Sequence, residues 1–414
     1  MLDQRLFANI DWTLCFIVLL ISGVGLIALS SATLGIPGKE DYLIQQVYRI
    51  IAGVGVIILT QFIHYRHWAR LGFLMHLLVI VLLVLVLLYG TGGPGAPVQR
   101  WLKVGPFFFQ PSEFSKFTLV LALSHHFRDF EKPKGNWLWM IWPLALMAVP
   151  VVLIIKQPDL GTAMLLVIVF IPIIFLMGIR FKTIFILGLL SLASLPVVWM
   201  FVLKSYQKTR ILTFLNPERD PLGSGYHIIQ SKIAIGSGGF FGKGFGEGTQ
   251  GQLNFLPAHH TDFIFAVFSE EWGFIGAMLV LVLFLTLTLW SLAEVLIAKN
   301  RVSAVLITGI VAIIISHVLI NIGMTTGLMP VVGVPLPFFS YGGSSMISMM
   351  FGDHDPHHPQ EHLSGQPLHP LREVPVGAGG TPKRTTARLQ HLKCALPSKH
   401  NCQHFCAIWW LFMN

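Results

Sequence analysis

Between residues 208 and 262 the sequence gathers Lys208, Arg210, Asp220, His227, Lys232, Lys243, His259, His260 and Asp262, with the glycine-rich run Gly236 to Gly251 among them. A carboxylate can accept a proton, and lysine or arginine can hold an anion. Any chemistry this chain performs is expected in this stretch. Asp262 follows His260-Thr261 and precedes the apolar run that opens with Phe263. Position alone offers it a structural role as well, capping that helix, and from position alone capping is the better reading. The glycine run could turn backbone N–H groups toward phosphate or could be a flexible loop. It lacks the strand-to-helix setting of a nucleotide motif.

The elements that must position these residues are membrane spans. The chain has 414 residues, 54% apolar and 11% charged, with a mean hydropathy of +0.70. Runs of about 20 apolar residues, enough to cross a bilayer core of ~30 Å, recur along it. They are predicted at 12–34, 44–63, 72–90, 111–126, 138–155, 160–179, 183–203, 263–297, 302–325 and 340–350. The first, Leu14 to Leu34, is too long for a signal-peptide core and reads as a retained span. The predicted fold is an all-α polytopic membrane protein of about ten transmembrane helices, with one large extracytoplasmic loop at 204–262. There is no internal repeat. Of the four cysteines, Cys15 lies in the first span and Cys394, Cys402 and Cys406 lie near the end, so no disulfide framework joins the loops.

Every second loop is short and basic: His64 to Arg70, Arg128 to Lys134, Gly178 to Lys182, and Lys299 to Arg301. By the positive-inside rule these loops and the N-terminus are cytoplasmic, and 204–262 lies outside. The net charge of +9 is therefore a topology signal, not a sign of nucleic-acid binding. The basic residues of 204–262 run against that bias, so their charge could serve a ligand. The other long outer loop, Gly90 to Gln110, is rich in glycine and proline and reads as an irregular connector, with Trp101 as an interfacial aromatic.

Several charges fall inside or at the ends of spans. Glu113 and Lys116 share a helix face, Lys156 and Asp159 flank a short break, and Glu270 and Glu271 lie within the eighth segment. An ionised group at the bilayer centre costs ~3 kcal/mol or more, so such residues face partners or a cavity. They could pair structurally, for example Lys116 with Asp159, or shape a polar cavity open to the outside. The eighth segment, at about 54 Å, exceeds the hydrocarbon core, so its first turns are expected in the outer interface or along a cavity. After the ninth span, Met329 to Ser345 carries three prolines that bar a regular helix. The tenth segment ends at Met350 after roughly 16 Å, too short to span, and the fold's last helix is read as truncated. A polar His/Pro-rich tail, 351–414, follows and reads as disordered or as a frameshift product, with no defensible zinc pattern.

The blocks Arg100-Trp101, Gln110-Pro111-Ser112-Glu113, Gln157 to Thr162, Gly225 to Gly239, His260 to Phe265 and Pro335 to Ser345 lie in order over residues 1–350. Together they resemble the SEDS family (shape, elongation, division and sporulation), membrane glycosyltransferases that polymerise lipid-linked peptidoglycan precursor. Gly333 to Pro337 and Gly225 to Gln230 are more similar to the elongation member than to its division paralogue. The likeness stops at Met350, where the family continues its last span.

The resemblance implies that Asp262 stands where the family carries its essential acid, which raises catalysis above capping. In the reaction a sugar hydroxyl attacks an anomeric carbon whose leaving group is a lipid diphosphate. One base and cationic support for the leaving group suffice, unlike the two carboxylates of a glycosidase. Asp262 is then the base of an inverting transfer. Lys116, Arg100, Arg210, Lys208 and Lys243 are the candidates to hold diphosphate, and Glu113, Asp159 and Glu270 are structural or line the cavity. No cofactor is identified, although a divalent cation such as Mg2+ could share the diphosphate charge. The implied partners are lipid II, a class B penicillin-binding protein and other membrane proteins of the elongation complex, with no nucleic acid, at the bacterial inner membrane. Two alternatives stand beside this reading: a flippase or transporter of the lipid-linked precursor, which the intramembrane charges also fit but inverted repeats do not support, and a non-catalytic scaffold.

Overall fold

The computed structural model describes residues 11–34, 41–61, 65–92, 99–104, 107–130, 138–179, 205–219, 223–253, 260–298 and 300–342, with isolated positions within 182–200 and 255–256. The chain is an all-α polytopic membrane protein. Its helices are α1 (Trp12–Thr33), α2 (Asp41–Gln61), α3 (Tyr65–Tyr89), α4 (Pro111–His126), α5 (Ile141–Lys156), α6 (Leu160–Leu176), α7 (Ser205–Leu215), α8 (Ser224–Ser237), α9 (Thr249–Gln252), α10 (Ile264–Ile297) and α11 (Arg301–Thr325). Six helical stretches among the described residues are long and apolar enough to cross a membrane. Most of the predicted segments 183–203 and 340–350, and the tail 351–414, lie outside the described residues.

Two local readings change. Tyr65 to Arg70, expected in a basic loop, forms the first turns of α3. The Tyr65 ring is buried there, and its hydroxyl accepts a hydrogen bond from Asn300 at 2.7 Å, so the aromatic is a packing residue. Gly90 to Gln110, expected to be irregular, carries a small antiparallel sheet of β1 (Thr91–Gly92), β2 (Gln99–Val104) and β3 (Phe107–Phe109). β2 and β3 form a ribbon with Lys103 opposite Phe108, and the aromatic run supplies the strand preference that glycine and proline elsewhere in the loop obscure.

Helix α11 is the most buried of the six spans and packs against α4, α6 and α10. α4 runs beside it, buried along nearly its whole length although it holds Ser112, Glu113, Ser115, Lys116, Thr118 and Ser124. A helix this polar holds its place in a membrane only by facing protein. Apolar side chains such as Leu119 and Leu123 of α4, Phe268 and Phe284 of α10, and Ile313 of α11 fill the surrounding core.

The first turns of α10 answer the excess length seen in the sequence. The helix breaks at Gly273, whose φ of 64° and ψ of −161° are not helical. Into the break folds the glycine run. Lys243 N–H donates to the Glu270 carbonyl at 3.1 Å, Gly244 N–H to the Glu271 carbonyl at 3.0 Å, and Phe274 N–H to the Gly239 carbonyl at 2.9 Å. A Cβ on Gly242 would collide with the Glu271 carbonyl oxygen, and one on Gly273 would collide with the Gly242 nitrogen. The run is thus a fitted clasp around α10, not a loose loop, and the Lys243 and Gly244 N–H groups are spent on helix carbonyls.

Candidate active site

Asp262 lies two residues before α10 begins. The cap position is Phe263, and the carboxylate of Asp262 takes its hydrogen bond from the Thr261 side chain. The capping role that position suggested is not the one it plays. Asp262 is half-buried. Its pKa is pushed from 3.8 up to about 6, chiefly by burial, with the nearby Glu113 carboxylate adding to the rise and Arg210 and Thr261 opposing it. A carboxyl near 6 is still ionised at neutral pH and is a stronger base than an ordinary aspartate.

Three segments converge on this carboxylate. The first is α7, which brings Arg210; its guanidinium also donates to the Val331 carbonyl at 3.3 Å. The second is the start of α4, which brings Glu113 and, one turn on, Lys116. The third is the proline-rich loop after α11. Gly333 has a φ of 76°, and a Cβ placed on it would lie 3.3 Å from the Asp262 carboxylate oxygen. Only a residue without a side chain leaves that oxygen uncovered in this backbone state. Asn321 of α11 donates from Nδ2 both to the Asp262 carbonyl at 2.9 Å and to the Val334 carbonyl at 2.7 Å. The far end of the loop is held by α2: Gln46 donates to the Ser340 carbonyl at 3.3 Å, Tyr341 stacks on Tyr42, and Arg49 covers the Tyr341 ring. Tyr341 N–H closes the circuit on the His260 carbonyl at 3.2 Å.

The remaining charged candidates are distributed as follows. Lys116 pairs with Glu113 at 3.0 Å and also meets His317 at 2.8 Å, fully buried. Asp159 pairs instead with Arg100 at 3.6 Å and caps α6 through Thr162. The pairing of Lys116 with Asp159 is therefore corrected. Glu113, a turn away on the same helix, is nearer to the lysine, while Asp159 is fixed by its own helix start. Arg100 further donates to the Gln157 and Pro158 carbonyls, tying β2 to the turn before α6. Lys243 binds Glu270 at 2.6 Å, and the same carboxylate accepts from Thr249 N–H and Oγ1, each at 2.9 Å, and from Gln250 N–H at 3.1 Å. Glu270 is the anchor of the glycine clasp, and Glu271 beside it is bound by Ser31 of α1. Lys208 is half-exposed on α7, two residues from Arg210. Of the five cations considered for diphosphate, Lys116, Arg100 and Lys243 are each paired with a carboxylate, and Arg210 is the one whose charge acts on Asp262. His317 and Gly333 carry parts of the site that charge alone does not reveal. A histidine inside an apolar helix, four residues before an asparagine on the same face, was the signal for the first.

Residues 11–352 match the family model described as cell cycle protein, FtsW/RodA/SpoVE. The chain is 42% identical over 289 residues to the peptidoglycan glycosyltransferase MrdB of Escherichia coli strain K12, covering 70% of this chain and 76% of that protein. It is 37% identical over 349 residues to stage V sporulation protein E of Bacillus subtilis strain 168, covering 82% and 94%. Among solved structures, it resembles a chain from work on the structural coordination of polymerization and crosslinking by a peptidoglycan synthase complex, with a TM-score of 0.71, 33% identity, and coverage of 83% and 95%. It also resembles the rod shape determining protein RodA of Thermus thermophilus, with a TM-score of 0.62, 28% identity, and coverage of 83% and 94%.

Proposed function

The chain belongs to the FtsW/RodA/SpoVE family of cell cycle proteins, and we propose that it is a peptidoglycan glycosyltransferase, polymerising lipid II into glycan strands during cell elongation. It is a multi-pass bacterial membrane protein, and its relatives include a named peptidoglycan glycosyltransferase. The observation that carries the mechanism is the Asp262 carboxylate, raised to about 6, held at the mouth of α10 with Arg210 beside it.

Asp262 takes the proton of the attacking sugar hydroxyl. The oxygen forms its bond to the anomeric carbon as the bond to the lipid diphosphate breaks, and the electron pair leaves with the diphosphate. A single in-line displacement, with the hydroxyl attacking opposite the departing diphosphate and no covalent enzyme intermediate, inverts that carbon. Arg210 stabilises the departing negative charge, and Lys208, on another face of the same helix, adds positive potential without sharing that contact. Glu113, locked to Lys116, keeps a second negative charge near Asp262 and so keeps it basic. Among the described residues no group of three or more His, Cys, Asp or Glu is placed to hold a metal ion. Mg2+ serving the diphosphate would draw on phosphate oxygens and one or two carboxylates, as this ion commonly does.

The basic loops support a cytoplasmic N-terminus, with α7, α8 and the Asp262 site on the periplasmic side. There a class B penicillin-binding protein would cross-link the strand as it emerges, and other elongation-complex membrane proteins would assemble alongside. The test is to purify the full chain in detergent, supply lipid II and resolve the products by size. Glycan polymer is the expected result. Translocation of lipid II across reconstituted vesicles without polymer would assign the protein to transport instead.

A further inference from the structure

Two polar residues of α11 take part in no step above. His317 and Asn321 lie four residues apart on one face of the most buried span. Both are fully buried. His317 reaches Lys116 Nζ from Nε2 at 2.8 Å and the Pro335 carbonyl from Nδ1 at 3.1 Å. An ammonium only donates and a carbonyl only accepts. Nε2 must therefore be the bare nitrogen and Nδ1 the protonated one, which fixes a single neutral tautomer. Asn321 holds the preceding carbonyl, Val334, and the carbonyl of Asp262 itself. Consecutive carbonyls of the proline-rich loop are thus tied to consecutive turns of one helix. The residue before them is Gly333, which lies against the Asp262 carboxylate.

We propose that His317 and Asn321 act as one positioning unit that holds the Asp262 carboxylate and the Lys116 ammonium in register for glycosyl transfer. The inference rests on the polymerase reading above and adds two residues to it. Asn321 fixes the backbone of the base directly and, through Val334, sets the height of Gly333 against its carboxylate. His317 fixes the next carbonyl and, through its bare nitrogen, orients Lys116. Lys116 in turn holds Glu113, whose charge acts on Asp262. Neither side chain touches the substrate in this scheme. A misplacement of about 1 Å in a reacting group can cost ~100-fold in rate, so a unit acting only on geometry can have a large kinetic effect.

The experiment uses the full-length chain with His317→Leu, His317→Gln and Asn321→Leu. Glutamine can donate to the Pro335 carbonyl and accept from Lys116, as the histidine does, while leucine can do neither. Polymerisation rates are measured over a range of lipid II concentrations and normalised to the folded fraction from size-exclusion chromatography. The expected result is that His317→Leu and Asn321→Leu lower kcat about tenfold or more with little change in KM, and that His317→Gln recovers most of the rate. Equal rates for His317→Leu and His317→Gln, or losses that vanish on normalisation, would overturn the proposal. A measurement independent of turnover is the 15N-histidine magnetic resonance difference spectrum between the parent and His317→Gln. It should show a neutral ring protonated at Nδ1, and protonation at Nε2 would overturn the assignment. A parent protein that makes no polymer would sink the polymerase reading itself, an outcome distinct from either of these.

Discussion

Replacing Asp262 with asparagine removes the charge and keeps the shape, and its effects on activity and stability are expected to have opposite signs. As the base, Asp262 must be ionised. With a pKa of about 6, the ionised fraction is ~0.9 at pH 7 and ~0.1 at pH 5, so the parent's rate should fall roughly tenfold across that interval. An aspartate at the ordinary 3.8 would show almost no fall over the same range. The Asp262→Asn variant offers no base at any pH, and polymer formation should be lost throughout. Stability moves the other way. A carboxyl whose pKa is raised in the folded state binds its proton more tightly there than in the unfolded chain. Stability therefore increases as pH falls from about 6 toward 3.8, and the ionised group is a burden at neutral pH. The rise from 3.8 to about 6 corresponds to ~3 kcal/mol. Asp262 keeps partial contact with solvent, so screening reduces the working figure to about 1–2 kcal/mol. Asp262→Asn should then melt a few degrees higher than the parent at pH 7.5, and the difference should narrow near pH 5. The assays are polymer yield from lipid II between pH 5 and 8 and thermal unfolding in the same detergent. Polymerisation by Asp262→Asn at the parental rate, or a parental rate flat from pH 7 to pH 5, would refute the reasoning.

Other perturbations have equally definite outcomes. Arg210→Ala removes the cation that holds the Asp262 pKa down, so the acid limb of the pH–rate profile should move to higher pH and kcat at pH 7 should fall. Glu270→Ala leaves Lys243, Thr249 and Gln250 without their shared acceptor. The expected loss is roughly 1–3 kcal/mol, with faster protease cleavage within 240–250 on limited digestion. Gly333→Ala places a methyl 3.3 Å from the Asp262 carboxylate at a φ of 76°. The backbone cost is about 1–2 kcal/mol, and kcat should drop with KM nearly unchanged, as read from a full substrate titration.

Much of the architecture was legible in the chain. Apolar runs of membrane-crossing length appear as helical stretches at 12–33, 41–61, 65–89, 138–156, 264–297 and 301–325, and α4 begins at Pro111. Hydropathy reads well because lipid demands an unbroken apolar run wherever a helix meets it. The sheet at 91–109 was hidden because three short strands in a loop have neither length nor clean alternation. The clasp of the glycine run was hidden for another reason. Nothing local marks Gly242 and Gly273 as partners, and only their meeting shows why each lacks a side chain.

The candidate site divides along the same line. Charge inside a membrane span is costly and so stands out, which marked Glu113, Lys116, Asp159 and Glu270, while the family resemblance was what marked Asp262 as the base and Arg210 as a diphosphate candidate. Sequence could not say which charges pair. Arg100 and Asp159 lie far apart in the chain. That they pair with each other, leaving Lys116 to Glu113, follows from how β2, α4 and the turn before α6 meet. Position alone favoured a helix cap for Asp262, and only the family resemblance raised the base above it. The start of α10 at Ile264 decided against the cap. Burial, helped by the Glu113 carboxylate and opposed by Arg210 and Thr261, raises the Asp262 pKa, while Asn321 holds its backbone and Gly333 leaves its carboxylate uncovered. A pKa is set by burial and by neighbours in space, and only the packed fold brings those neighbours together.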